Sequence, residues 1–223
     1  MRLLALDCAV SCCSAAAWAD GAARGRRWVA MVTGQSEAIV PMALAVMSEA
    51  GLSFGDLDAI VATVGPGSFT GVRIGLAAAR GFGLAHAVPV WGMRTTDVVA
   101  EVAREWLQGA ENLLVVLECK RHELAAQRYD VSGVPLDEAV LCAPEALAVS
   151  HAADAVAGDG RVRFLRAFAS AGRFARELDG ADLPDAAALA ALAARRLGAG
   201  ENLLAPRPIY LRAPDVTRAE GAI

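Results

Sequence analysis

Residues Gly65-Pro66-Gly67-Ser68-Phe69-Thr70-Gly71-Val72-Arg73-Ile74-Gly75 decide how this chain is read. An apolar run, Ile60-Val61-Ala62-Thr63-Val64, leads in, and a long small-residue segment, Leu76 to Ala87, leads out. That is the pattern of a strand, a glycine-rich turn and a helix. Gly65 and Gly67 admit backbone angles closed to other residues, Pro66 stiffens the turn, and Ser68 is a good N-cap. Backbone N–H groups in such a turn point into open space, as in a phosphate-binding loop. The P-loop spelling is missing, because no Lys-Ser or Lys-Thr follows the second glycine. Further on, Gly71, Gly75, Ala79 and Gly83 recur every four residues and share one helical face. A glycine inside a helix costs about 1 kcal/mol relative to alanine, so the stripe implies close approach. Two occupants fit it: the protein's own neighbouring helix or sheet, or a partner helix or ligand.

The whole chain has 223 residues, 56% hydrophobic and 21% charged, which suits one large domain or two small ones with a substantial core. No run approaches the roughly 20 apolar residues of a membrane helix. The start, Met1-Arg2-Leu3-Leu4-Ala5-Leu6-Asp7, meets an acid at once and lacks a signal-peptide pattern. The cytoplasm is the expected location. Net charge is -4, and the only tight basic cluster is Arg24-Gly25-Arg26-Arg27. A chain that grips nucleic acid by itself carries a basic stripe, so any RNA is expected to be held by another subunit. The five cysteines are Cys8, Cys12, Cys13, Cys119 and Cys142, an odd number without a C-x-x-C pair. They read as buried thiols rather than disulfides or zinc ligands. His86, His122 and His151 show no ligand spacing, and no metal site is expected.

In chain order, strands are expected at residues 2–8, Cys12 to Ala19 and Arg27 to Val32, with Asp20-Gly21 as a hairpin turn. A helix from Glu37 to Ala50, capped by Ser36 and distorted early by Pro41, is apolar nearly all round. Ile39, Met42, Ala43, Val46 and Ala50 form one face, and Val40, Leu44 and Met47 another. One face can rest on a sheet, and the other must meet a neighbouring helix or a second subunit. After the strand from Asp58 to Val64 and the glycine turn with its helix come a short strand at Val88–Gly92 and a helix from Thr96 to Leu107. The order β-β-β-α-β-α-β-α predicts a ribonuclease-H-like mixed sheet flanked by helices. A second unit opens at Asn112 with two strands, Leu113–Leu117 and Leu124–Tyr129, about the turn Lys120-Arg121-His122-Glu123. A strand at Leu136–Cys142, a helix start at Pro144–Val149, a strand at Ala155–Ala157 before a glycine turn, and a helix from Asp185 to Leu197 follow. The two halves share a strand-then-helix plan, as in a duplicated fold. Residues 1–110 are therefore read as the N-terminal lobe, 111–205 as a smaller C-terminal lobe, and 206–223 as an extended segment disordered at its end.

No catalytic residue is assigned. The turn around Ser68 is not G-x-S-x-G, and Cys12 and Cys13 lack the basic or helix-terminal setting that activates a thiol. Glu118, His122 and Glu123 crowd a hairpin tip and read either as a small polar site or as a solvated turn. Asp7 ends the first strand and reads two ways, as a metal or phosphate partner or as a turn cap. An acid-ended meander with glycine turns suits the actin, sugar-kinase and Hsp70 class. There the acid is followed by glycine with Ser or Thr, whereas here it reads Asp7-Cys8-Ala9-Val10. Asp7, Gly65, Gly67 and Ser68 thus mark a vestigial nucleotide site, with a nucleotide between the lobes allowed but no cofactor assigned. An independent phosphotransferase of this fold is the rival reading, and a peptidase the third.

These motifs resemble the TsaB (YeaZ) family. The resemblance is carried by Leu3-Leu4-Ala5-Leu6-Asp7, by Cys13-Ser14 with Trp18 and Gly21, by Glu37 through Pro41-Met42, by Gly65 to Gly75 at every position, and by Pro208-Ile209-Tyr210-Leu211-Arg212. It is strong over the first hundred residues and thin between 130 and 200. It implies a two-lobed actin-like, Hsp70-like protein without catalytic residues of its own. Such a subunit pairs with the paralogue TsaD, which carries the metal and the acyl-transfer site, and the ATPase TsaE joins them. The complex places a threonylcarbamoyl group on N6 of adenosine 37 in tRNAs reading codons that begin with A. The tRNA is held mainly by TsaD, and isolated subunits can form homodimers. The family's N-lobe interface maps here onto Ile39, Val40, Met42, Ala43, Val46, Met47, Phe69, Thr70, Gly71, Val72, Gly75, Ala79 and Gly83. The chain departs from the family at Gln35, where many relatives have histidine, at Cys8, which replaces threonine, and at Glu118-Cys119-Lys120, which replaces Asp-Ala-Arg.

Overall fold

A computed structural model of the chain describes residues 1–119 and 122–211. The first sheet is built from β1 (Leu3–Asp7), β2 (Cys12–Ala19), β3 (Ala22–Ala30), β4 (Ala59–Thr63) and β5 (Val90–Met93), in the order β3-β2-β1-β4-β5. The first three strands form an antiparallel meander, and β4 and β5 add in parallel. The hairpin turns on Asp20 and Gly21, both at positive φ (52° and 78°), the geometry that matches the twist of adjoining strands. Such a tight turn lets β3 begin at Ala22, five residues before the expected start. Gly25 is needed within it, because a Cβ there would meet the Val46 carbonyl oxygen at 2.5 Å.

Alternation along β1 supplies both faces of the sheet. Leu4 and Leu6 enter a core with α1 (Gln35–Glu49) and α2 (Phe69–His86), while Leu3 and Ala5 enter another core on the far side. α1 starts two residues before the expected position, with Gly34 as its N-cap. Ser36 is not the cap, since its hydroxyl donates instead to Glu37. The helix runs unbroken through Pro41. On α2, Ser68 does cap, its Oγ accepting from the Gly71 N–H at 3.3 Å.

The second sheet repeats the plan. β6 (Asn112–Glu118), β7 (Leu124–Asp130), β8 (Val140–Cys142), β9 (Ala155–Ala157) and β10 (Arg176–Glu177) lie in the order β10-β9-β6-β7-β8. Again three antiparallel strands are joined by two parallel ones, so the duplication read from the sequence is real. α4 (Pro144–Ser150) and α5 (Arg161–Ser170) cover one face, with Phe164 and Phe168 stacked at 4.9 Å within it. This is the two-lobed ribonuclease-H-like arrangement of the actin and Hsp70 class.

The lobes exchange helices. α3 (Thr95–Ala103) presents Val98 to the first sheet but Val99 and Ala103 to the second, beside Leu113 and Val115. α6 (Ala186–Gly198) lies within the 111–205 stretch yet packs Leu189 and Leu192 against Leu3, Ala5 and Val61 of the first sheet. A helix from the second half of the chain thus completes the core of the first sheet. The polar joint between the lobes is buried: the Tyr129 hydroxyl lies 2.8 Å from Asp97 Oδ1, and Arg196 donates to Asp97 Oδ2 at 2.8 Å. Thr96 donates to Gln127 at 2.7 Å beside them. The chain after α6 runs back along the first sheet. Leu204 pairs with Gly92, and the Ile209 N–H donates to the Val64 carbonyl at 2.7 Å. The expected disorder at the chain's end lies outside the described residues.

The glycine stripe of α2 faces inward. A Cβ on Gly71 would stand 2.0 Å from the Cys8 carbonyl oxygen, and one on Gly83 would stand 2.3 Å from Val90. Gly81, on the same helix, has nothing within 4 Å. Gly71→Ala is thus expected to lower stability by about 1–3 kcal/mol by overpacking, whereas Gly81→Ala raises it by about 0.5–1 kcal/mol, both read from chemical denaturation. Asp97→Ala leaves Arg196 and Tyr129 without their carboxylate and should cost about 3–5 kcal/mol by the same measurement.

Candidate functional site

Two features could carry function: the cleft between the lobes and the outer face of α1 and α2. The cleft measures about 500 Å³ and is lined by Val10, Ser11, Gln35, Gly67, Ser68, Glu118 and Asp159, among others. It lies where a nucleotide would be sought in this fold, but the turn beside it is sealed. The Ser68 N–H donates to the Ala9 carbonyl at 2.6 Å. A Cβ on Gly67 would meet that same oxygen at 2.2 Å. The N–H groups expected to open toward a phosphate are in part spent inside the protein. Gly65, at φ 104°, turns its carbonyl to the Thr95 N–H and lies against the Ile209 carbonyl of the tail.

Asp7 is fully buried and does not line the cleft. Its Oδ1 accepts from Thr63 Oγ1 at 2.5 Å and the Ala9 N–H at 3.2 Å, and its Oδ2 from the Cys12 thiol at 3.3 Å. Burial pushes its carboxyl above the ordinary range, and the Thr63, Ala9 and Cys12 hydrogen bonds only partly offset this. Of the residues marked as a vestigial nucleotide site, Gly67 and Ser68 reach the cleft, while Asp7 and Gly65 do not. Asp7 accepts the Ala9 N–H as a turn cap does.

The second lobe contributes Asp159 and Glu118. Asp159 Oδ1 accepts the Glu118 N–H at 2.8 Å. Burial raises its pKa to about 6, with the Glu118 and Asp182 charges adding to the effect. Glu118 itself is held by Arg163 Nη1 at 2.5 Å, and Arg163 also donates to the His122 carbonyl. The hairpin-tip acid is therefore tied to α5. Among the described residues no group of three or more His, Cys, Asp or Glu side chains is placed to hold a metal ion.

The outer face of α1 and α2 is apolar in a way the stripe is not. Of the thirteen residues mapped to an interface, Ile39, Ala43, Val46, Met47, Gly71, Val72, Gly75, Ala79 and Gly83 are buried within the lobe. Met42 is half-buried, and Val40, Phe69 and Thr70 are exposed. Of the two occupants open to the stripe, the protein's own chain fills it, so its residues mapped to an interface face inward: the missing Cβ atoms let α2 lie on the backbone at Cys8. Leu44, 51% exposed, and Leu84, 89% exposed, join the outer face instead. Leu84 was legible as a large apolar residue near the end of α2 that is out of phase with the stripe, although Phe82 shares that signal and packs inward. At the start of α2, Arg73 lies 3.3 Å over the Phe69 ring, and Tyr210 from the tail stands 5.9 Å from the same ring. Among the described residues no helix is long and apolar enough to cross a membrane.

Comparison with known proteins gives three consistent results. A family model described as TsaD, tRNA N6-adenosine threonylcarbamoyltransferase, matches residues 33–173. The Escherichia coli tRNA threonylcarbamoyladenosine biosynthesis protein TsaB is 34% identical over 137 residues, covering 60% of this chain and 58% of that protein. The match thus spans a little over half of that relative's length. Two Pseudomonas aeruginosa structures align almost end to end. YeaZ has a TM-score of 0.80 at 28% identity, over 94% of this chain and 99% of that one. A protein described as similar to peptidase YEAZ has a TM-score of 0.81 at 30% identity, over 95% and 99%. With its paired 3-2-1-4-5 sheets and its Gly65–Gly75 turn, the chain belongs to the TsaB/YeaZ family.

Proposed function

We propose that this chain is a non-catalytic subunit in threonylcarbamoyladenosine formation on tRNA, and that it docks and supports the transferase TsaD through the outer face of α1 and α2. One observation carries the reading: Val40, Leu44, Phe69 and Leu84 stand exposed on two helices whose opposite faces already fill the lobe's core. Exposed apolar surface rimmed by charge marks a protein contact, and Glu37, Arg73 and Arg80 supply the rim. The match to the TsaD model supports the pairing, since related chains can meet through equivalent faces about an approximate twofold axis. The same face serves a homodimer when the chain is alone. Catalysis belongs to the partner, because Asp7, the carboxylate that would manage a phosphate or metal, is enclosed by Thr63, Ala9 and Cys12. No nucleotide is assigned to the cleft. In the cell the chain works in the cytoplasm, TsaE joins the pair, and tRNA is held mainly by TsaD.

Gly75 is a poor place to test the face, since its Cα lies over Cys8 and a large side chain would disturb the core. Leu44→Glu with Leu84→Glu is the better probe. The double variant should keep its thermal midpoint but bind TsaD roughly tenfold or more weaker. Transfer of the threonylcarbamoyl group should then require the wild-type chain in a reconstituted assay. Full activity of TsaD alone would end the subunit reading, and undiminished co-elution of the double variant would move the interface elsewhere.

A cleft that binds no phosphate leaves Asp159 as a stability liability. Its folded pKa of about 6 lies above the ordinary 3.8, so the folded state holds the proton more tightly. The stabilisation is complete below pH 4 and is lost as pH rises through 6. Asp159→Asn, whose amide oxygen still accepts the Glu118 N–H, should be close to wild type at pH 4. At pH 7.5 it should be more stable by roughly 2 kcal/mol, as read from paired denaturation curves.

A further inference from the structure

Three cysteines sit in the first hairpin, and subunit docking uses none of them. The β1–β2 register sets Leu6 opposite Ala15 and Asp7 opposite Ser14. Carried one step toward the tip, it sets Cys8 opposite Cys13. Opposed residues of antiparallel strands have Cα atoms about 4.5–5.5 Å apart, inside the roughly 4.4–6.8 Å that a disulfide tolerates. Both side chains enter the core beneath α2, and their sulfurs lie 3.6 Å apart. Cys12 points to the other face, where its thiol donates to Asp7 and toward the Pro184 carbonyl. The Cys8–Cys13 hydrogen bond raises the Cys8 thiol, further lifted by burial, and the same bond draws Cys13 down. Of the two, Cys13 is the sulfur that holds its proton less tightly.

We propose that Cys8 and Cys13 are a redox pair that closes to a disulfide on exposure to a peroxide. The Cys13 thiolate attacks one peroxide oxygen and the O–O bond breaks, leaving a sulfenic acid on Cys13 and a hydroxide that takes up a proton. The Cys8 sulfur then attacks the Cys13 sulfur, the S–OH bond breaks, and the hydroxyl leaves with the Cys8 proton as water. Two thiols and one peroxide give one disulfide and two waters, a two-electron oxidation. Both sulfurs are fully buried, so peroxide reaches them when the hairpin tip opens beside Val10 and Ser11, which line the cleft. Closure draws the sulfurs from 3.6 Å to about 2.05 Å. The Cys8 backbone lies against Gly71 and Gly75, and the Ala9 carbonyl holds the Ser68 N–H. Bond formation therefore shifts the bed of the first turns of α2, beside Phe69.

The full chain, reduced and then treated with hydrogen peroxide, tests this by intact mass and by thiol titration after denaturation. Wild type should go from five thiols to three, with loss of two hydrogens and no added oxygen. Cys12→Ser should lose two thiols as well. Cys8→Ser should form no internal disulfide and instead accumulate a dimedone-trapped sulfenic acid on Cys13. An unchanged thiol count in the wild type, or a Cys12→Ser variant that no longer closes, overturns the assignment. Should the Cys8→Ser variant fail to fold, alkylation of oxidised wild type followed by fragment mass spectrometry of the peptide spanning residues 3–24 decides. Protection of Cys8 and Cys13 supports the pair, and protection of Cys12 refutes it.

Discussion

The two sheets are joined by a buried carboxylate that each lobe helps to satisfy. Asp97 belongs to α3 from the first half of the chain, Tyr129 to β7 from the second, and Arg196 to α6, which returns to the first. A charge this deep is tolerable only when both oxygens are met, and its removal strands the groups that met it. Burial together with the Asp97 charge keeps the Tyr129 hydroxyl protonated far above its ordinary range, so that it remains a donor. The apolar exchange around this joint, Val98 and Val99 facing opposite sheets, makes α3 a shared layer. That shared helix lies between the two sheets, apart from the lining of the cleft.

A second constraint acts at the end of β1. The backbone from Cys8 to Ala9 is overlaid by Gly67 and Gly71 so closely that no side chain fits at either position. That approach consumes the Ala9 carbonyl and shuts Asp7 below the surface. A glycine turn with the look of a phosphate loop in the sequence makes a helix bed here. The outer face of α2 is left for other work, and Phe69, braced by Arg73 and Tyr210, stands at its head.

Much of this was legible from residues. The element order of the first lobe and its mixed sheet followed from the meander and the alternating segments after it, and Asp20-Gly21 named its turn. The orientation of the glycine stripe was not legible, because periodicity shows that residues share a face and not what the face meets. α5 escaped notice because its polar positions, Arg161, Arg163 and Arg166, mask the spacing of Phe164 and Phe168. α6 was seen as a helix, but its packing on the first sheet was not legible, since an alanine-rich face fits any sheet. Asp7 illustrates the limit at the site. Its type and position suggested phosphate chemistry, and only the Thr63 and Cys12 side chains, distant or unremarked in sequence, show that it is occupied.

The exchanged helix also bears on how the chain is made. The first sheet has α1 and α2 over one face as soon as residue 86 is synthesised, but Leu3, Ala5 and Val61 on the other face wait for Leu189 and Leu192. Domains usually fold in the order in which they leave the ribosome. This lobe cannot, since half of its sheet stays open to water until more than a hundred further residues have been added. The N-terminal lobe is first in sequence and among the last parts to be completed, and synthesis leaves a long interval in which an apolar sheet face needs protection.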